Sequence, residues 1–421
     1  MHDDAIIVSH RSGVELLDLY GYWVDEPVEP LEPFDSVAGP ECDEFPTFPR
    51  EPPLPVDSER DNADLWRIVP RRLLPDGLVA ALPELLPRPV DIVVSDGTRL
   101  TATKGMRPHT MARIPSDTLI GVSGAREGVP ELCVLPPAFL LMQLSAGLSH
   151  WQVAYLASQF CGTFRAIRPA EVPLYRSLPN VRVELYPRDS TPQTCVSATA
   201  YGLKPLITRQ ELEHFLDWVP LGMYGARKLR RALPLVTDRL ASPLEWRIWA
   251  LAFCDRRCGS LGIRQPLINR KLPLSAEAQR FVSLDAITPD FAWKDRRVVL
   301  EANGWLYHGG NQGIADTSLR DKAYHAKGYE CTTLTSPEVD DDRHFVAAME
   351  DICRQLGTEL PYATPSFRRR RRVLREGVLA ATATDAKDSR PPDEAPPAIE
   401  SDAGYWAALD RDAEFLASPH A

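Results

Sequence analysis

The stretch "PDFAWKDRRVVLEANGWLYH", residues 289–308, decides how this chain is read. It sets an aspartate (Asp290), a glutamate eleven positions on (Glu301) and a histidine (His308) around a run apolar enough to be buried. "FAW" and "VVL" are strand-like, and the "KDR" between them is short enough for a hairpin turn. Alternation along the second strand puts Arg297, Val299, Glu301 and Asn303 on one face and Val298, Leu300 and Ala302 on the other. Glu301 is thus flanked by sheet core, a costly place for a bare carboxylate. A pairing centred on Asp295 matches residue 289 with 301 and 287 with 303, so that Asp290 and Glu301 come within reach of one ion. Two carboxylates so placed repel unless they share a proton or a divalent cation. Mg²⁺ (or Mn²⁺) suits them, because it takes hard oxygen ligands and keeps sites for water and phosphate. The backbone carbonyl of Ala302 offers one more oxygen.

Upstream of the hairpin, Ser242 caps a helix that Pro243 opens, Glu245 completes a capping box, and the helix is expected over 243–254. "RQPLINRKL" supplies a further strand. Downstream, "DTSLRDKAYHAKG" reads as a three-turn helix between Asp316 and Gly328, "YECTTL" as a strand, and "SPEVDDDRHFVAAMEDICRQLG" as a closing helix that stops at Gly357. The order is helix, three strands, helix, strand, helix: one α/β unit around a mixed sheet.

These residues together resemble the PD-(D/E)xK nuclease superfamily, and more closely the bacterial endonuclease-like family related to very-short-patch mismatch repair endonucleases, over about residues 240–358. Ser242, Pro243 and Glu245 match the opening of that family's first helix, Asp290 its metal-binding aspartate and Glu301 its second acidic position. His308 matches the histidine of its third segment, and "LRDKAYHAKG" looks like its downstream helix. The resemblance implies a restriction-endonuclease-like α/β fold and Mg²⁺-dependent hydrolysis of DNA. Asp290 and Glu301 would hold the metal, with Ala302 adding its carbonyl. His308 would act as base, Glu245 would support a second ion or a water, and Arg320 or Lys322 would neutralise the transition state. Asn303 departs from the pattern: it stands where relatives carry Lys or Asp, so it offers a neutral oxygen and no positive charge. That departure sets the alternative, a nuclease-fold DNA-binding protein without cleavage, serving as a regulator or an antitoxin.

With 421 residues, the chain exceeds the usual span of one hydrophobic core. Four segments are read: 1–61, an N-terminal stretch with an acidic, Pro-rich linker; 62–238, a mixed, mostly helical α+β domain; 239–358, the endonuclease-like domain; and 359–421, an Arg-rich and then Ala/Pro-rich tail expected to be largely disordered. In the second segment, Thr208 and Glu211 form a capping box, and "GARKLRRAL" is a basic helix that suits either a helix-turn-helix or a solvated helical hairpin. Net charge is −10, yet its distribution says more than its sum. Residues 21–64 hold thirteen Asp or Glu against two Arg, whereas 241–375 hold twenty-one Lys or Arg against seventeen acids. The later half is therefore where a phosphate-rich partner is expected. Arg320, Lys322, Lys327 and the run Arg368, Arg369, Arg370 are the candidate contacts to DNA. Eight cysteines without a framework suggest a reducing compartment; Cys254 and Cys258 read as core thiols. No stretch reads as a signal peptide or a membrane span, so the chain is expected in the cytoplasm.

Overall fold

The computed structural model describes residues 6–19, 21, 65–66, 82, 84–94, 105–110, 114–115, 119–121, 132–187, 195–219, 222–303 and 311–383. His308, the acidic linker and the segment "YWAALDRDAEFLAS" lie outside them. The chain forms two compact units that part between Asp238 and Arg239. Among the described residues, no helix is long and apolar enough to cross a membrane.

In the first unit, "IIV" forms β1 (Ile6–Val8) and the following residues form α1 (His10–Leu19), so the "SHRSG" interruption is the junction of a strand and a helix. Strands β2 (Val90–Val94), β3 (Met106–Thr110), β4 (Ile120–Gly121) and β5 (Leu132–Val134) complete a five-stranded sheet in the order β3-β2-β1-β5-β4. Then come α2 (Pro137–Ser145) and α3 (His150–Phe160), the latter capped by Ser149 and Gln152. A second, three-stranded sheet takes in β6 (Phe164–Ile167), β7 (Arg182–Pro187) and β8 (Cys195–Tyr201), with α4 (Val172–Ser177) between its first two strands. A short third sheet pairs Leu65–Trp66 with Ile114–Pro115, so the described part of this unit holds more strand than its proline-punctuated sequence suggests.

The unit closes with α5 (Arg209–Trp218), which carries the expected Thr208–Glu211 box, and α6 (Ala226–Ala232). The basic residues of α6 have structural work. Lys228 Nζ donates to the carbonyls of Ala146 and Leu148 beyond the end of α2, at 2.9 and 2.7 Å, and Arg230 donates to those of Leu216 and Val219 at the end of α5. Gly225, just before α6, has φ +89°, and a Cβ there would stand 2.0 Å from the Met142 carbonyl oxygen. Gly225→Ala is therefore expected to destabilise this unit by about 3 kcal/mol, through left-handed strain plus backbone displacement. Urea midpoints of the two proteins check this.

The second unit is built around a four-stranded sheet in the order β9 (Leu267–Ile268), β10 (Phe291–Trp293), β11 (Val298–Asn303), β12 (Glu330–Thr335). The first three strands are antiparallel, and β12 runs parallel to β11. Lys294–Arg296 make the tight turn of the hairpin, closed by Arg297 at φ 54°. The register pairs Phe291 with Leu300 and Trp293 with Val298. This is one residue away from the pairing centred on Asp295, because the turn takes Arg297 as well. Continued by one pair, it sets Asp290 across from Glu301.

One face of the sheet, through Ala292 and Val299, packs with Ala278 of α8 (Ala276–Val282) and with Ala323 and Tyr324 of α9 (Asn311–Ala326). The opposite face sets Phe291 and Trp293 against Phe253, with ring centroids at 5.3 and 5.7 Å. Helix α9 begins at Asn311, so Asp316 lies inside it, whereas Gly328 stops it at φ 77° as the sequence suggests. The closing segment is two helices, α10 (Ser336–Asp340) and α11 (Asp342–Gln355), with Asp341 as the cap of the second.

The opening helix, α7 (Pro243–Ile248), passes into a π-helical turn over Trp249–Phe253 in place of the single helix to 254. Widening the turn changes carbonyl partners: that of Leu251 accepts from Leu261 N–H at 3.0 Å and from Arg371 Nη1 at 3.2 Å. Arg371 belongs to α12 (Pro365–Ala383), a 19-residue helix in the segment expected to be a disordered tail. Its buried stripe of Phe367, Arg371, Leu374, Val378 and Ala381 explains the order, since "RRRRR" hides an apolar period of about 3.6 residues. Cys254 and Cys258 are buried thiols.

Candidate active site

Three carboxylates meet at the end of the sheet remote from the hairpin turn. Asp290 precedes β10, and its main-chain carbonyl accepts from Asn269 N–H at 3.0 Å, one step past β9. Its Oδ2 accepts from Ala302 N–H at 2.6 Å. Ala302 therefore enters the site through its N–H. By alternation Asp290 shares a face with Ala292, and Glu301 shares one with Val299, the face covered by α9.

Glu301 is held from α9. Arg320 Nη2 donates to its Oε1 at 2.7 Å, and the Tyr324 hydroxyl donates to the same oxygen. Arg320 also donates to the Thr288 carbonyl at 3.0 Å, so it bridges the strand lead-in and the acid. Asn303, two residues along the same face as Glu301, carries a buried Oδ1 with no hydrogen-bond partner among the described residues. It is the last residue of β11.

Glu245 is 3% exposed. Its N–H bonds the Ser242 hydroxyl at 3.1 Å as an N-cap requires, but its carboxylate reaches past Ser242. Oε2 accepts from Ala241 N–H at 2.8 Å and from Asn269 Nδ2 at 2.6 Å. Half of the expected capping box is present, and the other half has been redirected into the site. Asn269 was not foreseen. The same Nδ2 donates to the Arg239 carbonyl at 2.8 Å, and φ +47° gives this residue the left-handed turn that ends β9. The signal was the "IN" ending of a strand, since asparagine tolerates that conformation better than most residues.

The electrostatics follow from this crowding. Burial pushes Asp290 well above the usual carboxylate range, Glu301 and Glu245 push it further, and the Ala302 N–H and Arg320 only partly oppose them. Burial likewise pushes Glu245 up to about 7, against the hydrogen bonds from Ala241, Asn269 and Ser242. Burial also raises the Tyr324 hydroxyl, with Glu301 adding to the shift. Burial favours neutral Arg320, yet Glu301 overrides it and keeps the guanidinium firmly charged. Arg320 thus answers Glu301 and Asp290, while Asp290 and Glu245 are driven toward the protonated form.

Among the described residues, no three His, Cys, Asp or Glu side chains are grouped to hold a metal ion. Mg²⁺ needs fewer, since one or two carboxylates with water and substrate phosphate satisfy it. Asp290 Oδ1, Glu301 Oε2 and the orphaned Asn303 Oδ1 are hard oxygens of the type it takes, so the donor chemistry fits. Of the other expected contacts, Lys322 is exposed on α9 and Lys327 is half-buried at its end; Arg368 and Arg369 are exposed and Arg370 half-buried on α12. No family model matches the chain, and no curated protein or solved structure matches it. What the chain displays is a mixed α/β unit in which a helix, a strand lead-in and a strand bring three carboxylates to one sheet end.

Proposed function

We propose that the second unit is a divalent-metal-dependent DNA endonuclease of restriction-endonuclease-like fold. The observation that carries this reading is the convergence of Glu245, Asp290 and Glu301 at one end of the β9-β10-β11-β12 sheet, with mutual repulsion only partly offset by Arg320. Asp290 and Glu301 would hold the ion, with Asn303 in reach along the same face. When bound, Mg²⁺ supplies positive charge to the scissile phosphate, where negative charge grows in the transition state. Arg320 orients Glu301, and so brings from α9 the positive charge that Asn303 lacks. Glu245, with a pKa of about 7, sets the charge of the cluster near neutral pH. The Ala302 N–H fixes the Asp290 rotamer.

A specific feature favours the second reading, a nuclease-fold DNA-binding protein without cleavage. Arg320 and Tyr324 both occupy Glu301 Oε1, and such a clamp also suits a carboxylate with a purely structural role. Supercoiled plasmid incubated with the full chain in Mg²⁺, Mn²⁺ or EDTA separates the two. Nicking with either metal that EDTA abolishes is the expected result; DNA retention without nicking under all three conditions leaves the second reading.

A further inference from the structure

We infer that the exposed face of α12 is a docking surface for the phosphodiester backbone of DNA, separate from the carboxylate site. Arg368, Arg369 and Arg372 are exposed; Arg372 lies four residues past Arg368 and three past Arg369, so the three fall within about 100° of arc on one side of the helix. Among the described residues none of the three has an ion-pair partner. Their neighbours Arg371 and Arg375 are spent on the fold. Arg371 pairs with Asp342 at 2.7 Å, and Arg375 donates to the Val339 carbonyl at 3.0 Å. These contacts tie the helix to the unit and set the side from which its outward arginines project.

Like charge is crowded here in a chain whose net charge is −10. The Arg256 guanidinium lies 4.2 Å over the Phe367 ring, and its pKa is lowered by burial and then by the charge of Arg370. Gly259 lets the α12 backbone come this close, since a Cβ there would stand 2.7 Å from the main chain of Arg370. Nearby acids are engaged: Asp255 by Arg257 at 2.9 Å, and Asp342 by Arg371. Glu376 is the acid on the exposed face itself.

The position of the face fits a polymer better than a small anion. Helix α12 runs antiparallel to α7 and its π-turn, because Thr382 Oγ1 meets Arg247 Nε at 2.8 Å while Arg371 meets the Leu251 carbonyl. Leu251 is six residues past Glu245, which places the basic face about 9 Å or more along the axis from the carboxylates. At about 3.4 Å per phosphate on a strand, that is a stretch of roughly three nucleotides. The inference shares its partner with the proposed function but needs no catalysis.

The test is the salt dependence of binding to a labelled short duplex in EDTA, by fluorescence anisotropy, over about 50 to 200 mM KCl. The triple variant Arg368→Gln, Arg369→Gln, Arg372→Gln is expected to lose about 2–3 from the slope of log Kobs against log[KCl], and on the order of 10²-fold in affinity near 0.1 M salt. Glu376→Lys, which adds a cation to the same face, is expected to steepen the slope by about 1. Asp290→Asn should leave the slope unchanged, so loss of cleavage and loss of docking are read separately. Circular dichroism checks that the variants are folded. Slopes unmoved by both the triple variant and Glu376→Lys overturn the inference, as does equal or tighter binding of the wild-type chain to phosphatidylcholine–phosphatidylserine vesicles.

Discussion

Asp290→Asn is expected to give a protein that no longer cuts DNA, by about 10³-fold or more, and yet unfolds at a higher denaturant concentration than the wild type in EDTA. The two halves of this result have one cause. Asp290 is half-buried beside Glu301 and Glu245, and its charge costs stability that the Ala302 N–H and Arg320 only partly return. Asparagine keeps an oxygen for Ala302, bonded at 2.6 Å in the wild type, while removing the charge. A structural aspartate would behave oppositely, because its loss would weaken the fold. Plasmid nicking and urea midpoints on the same preparations distinguish the cases, and a variant that is both active and less stable sinks the catalytic assignment. Glu301→Gln should lose activity to a similar degree without the gain in stability, since it also releases Arg320 and Tyr324.

The second large effect is a pH dependence of stability that a divalent cation reverses. Glu245 has a folded pKa of about 7 against 4.5 in an open chain, so the folded state binds its proton more tightly. Its contribution is fully present below about pH 4.5 and is lost as pH rises through about 7. Asp290, also raised, acts in the same direction. For Glu245 alone the loss is about 3 kcal/mol at most. In EDTA the wild type should therefore become less stable from pH 5 to pH 8 than Glu245→Gln, by a few kcal/mol in the difference. A cation bound by ionised Asp290 and Glu301 favours the deprotonated cluster, so Mg²⁺ should raise Tm more at pH 8 than at pH 5. At about a hundred times its Kd the gain is about 2.7 kcal/mol. A Tm indifferent to Mg²⁺ and Mn²⁺ at pH 8 would remove the metal from the proposed function without touching the DNA-docking face.

Much of the second unit was legible because its signals are local. Caps at Ser242, the stop at Gly328 and the alternation in "RRVVLEANG" each specify an element within a few residues. The convergence of Asp290 with Glu301 followed from a hairpin whose turn is nearly the minimum length. What stayed hidden depends on partners distant in sequence. Nothing near "PLINRKL" shows that Asn269 will meet a carboxylate 24 residues upstream. Arg320 reads as a phosphate contact until α9 is seen to lay it on Glu301. The one-residue error in register arose because a turn of three residues and one of four look alike in "KDRR". The arginine run was misread for a different reason: charge dominates its composition, whereas the stripe of Phe367, Leu374 and Val378 decides its conformation.

The contact between α7 and α12 also bears on the order of events during synthesis. The first helix of the second unit finds cover for its π-turn, and a mate for Arg247, only in its last described helix, more than a hundred residues later. A nascent chain still tethered to the ribosome short of Thr382 therefore cannot seal this unit. Arg247 and Arg371 thus gain these partners only once both ends of the unit have been made.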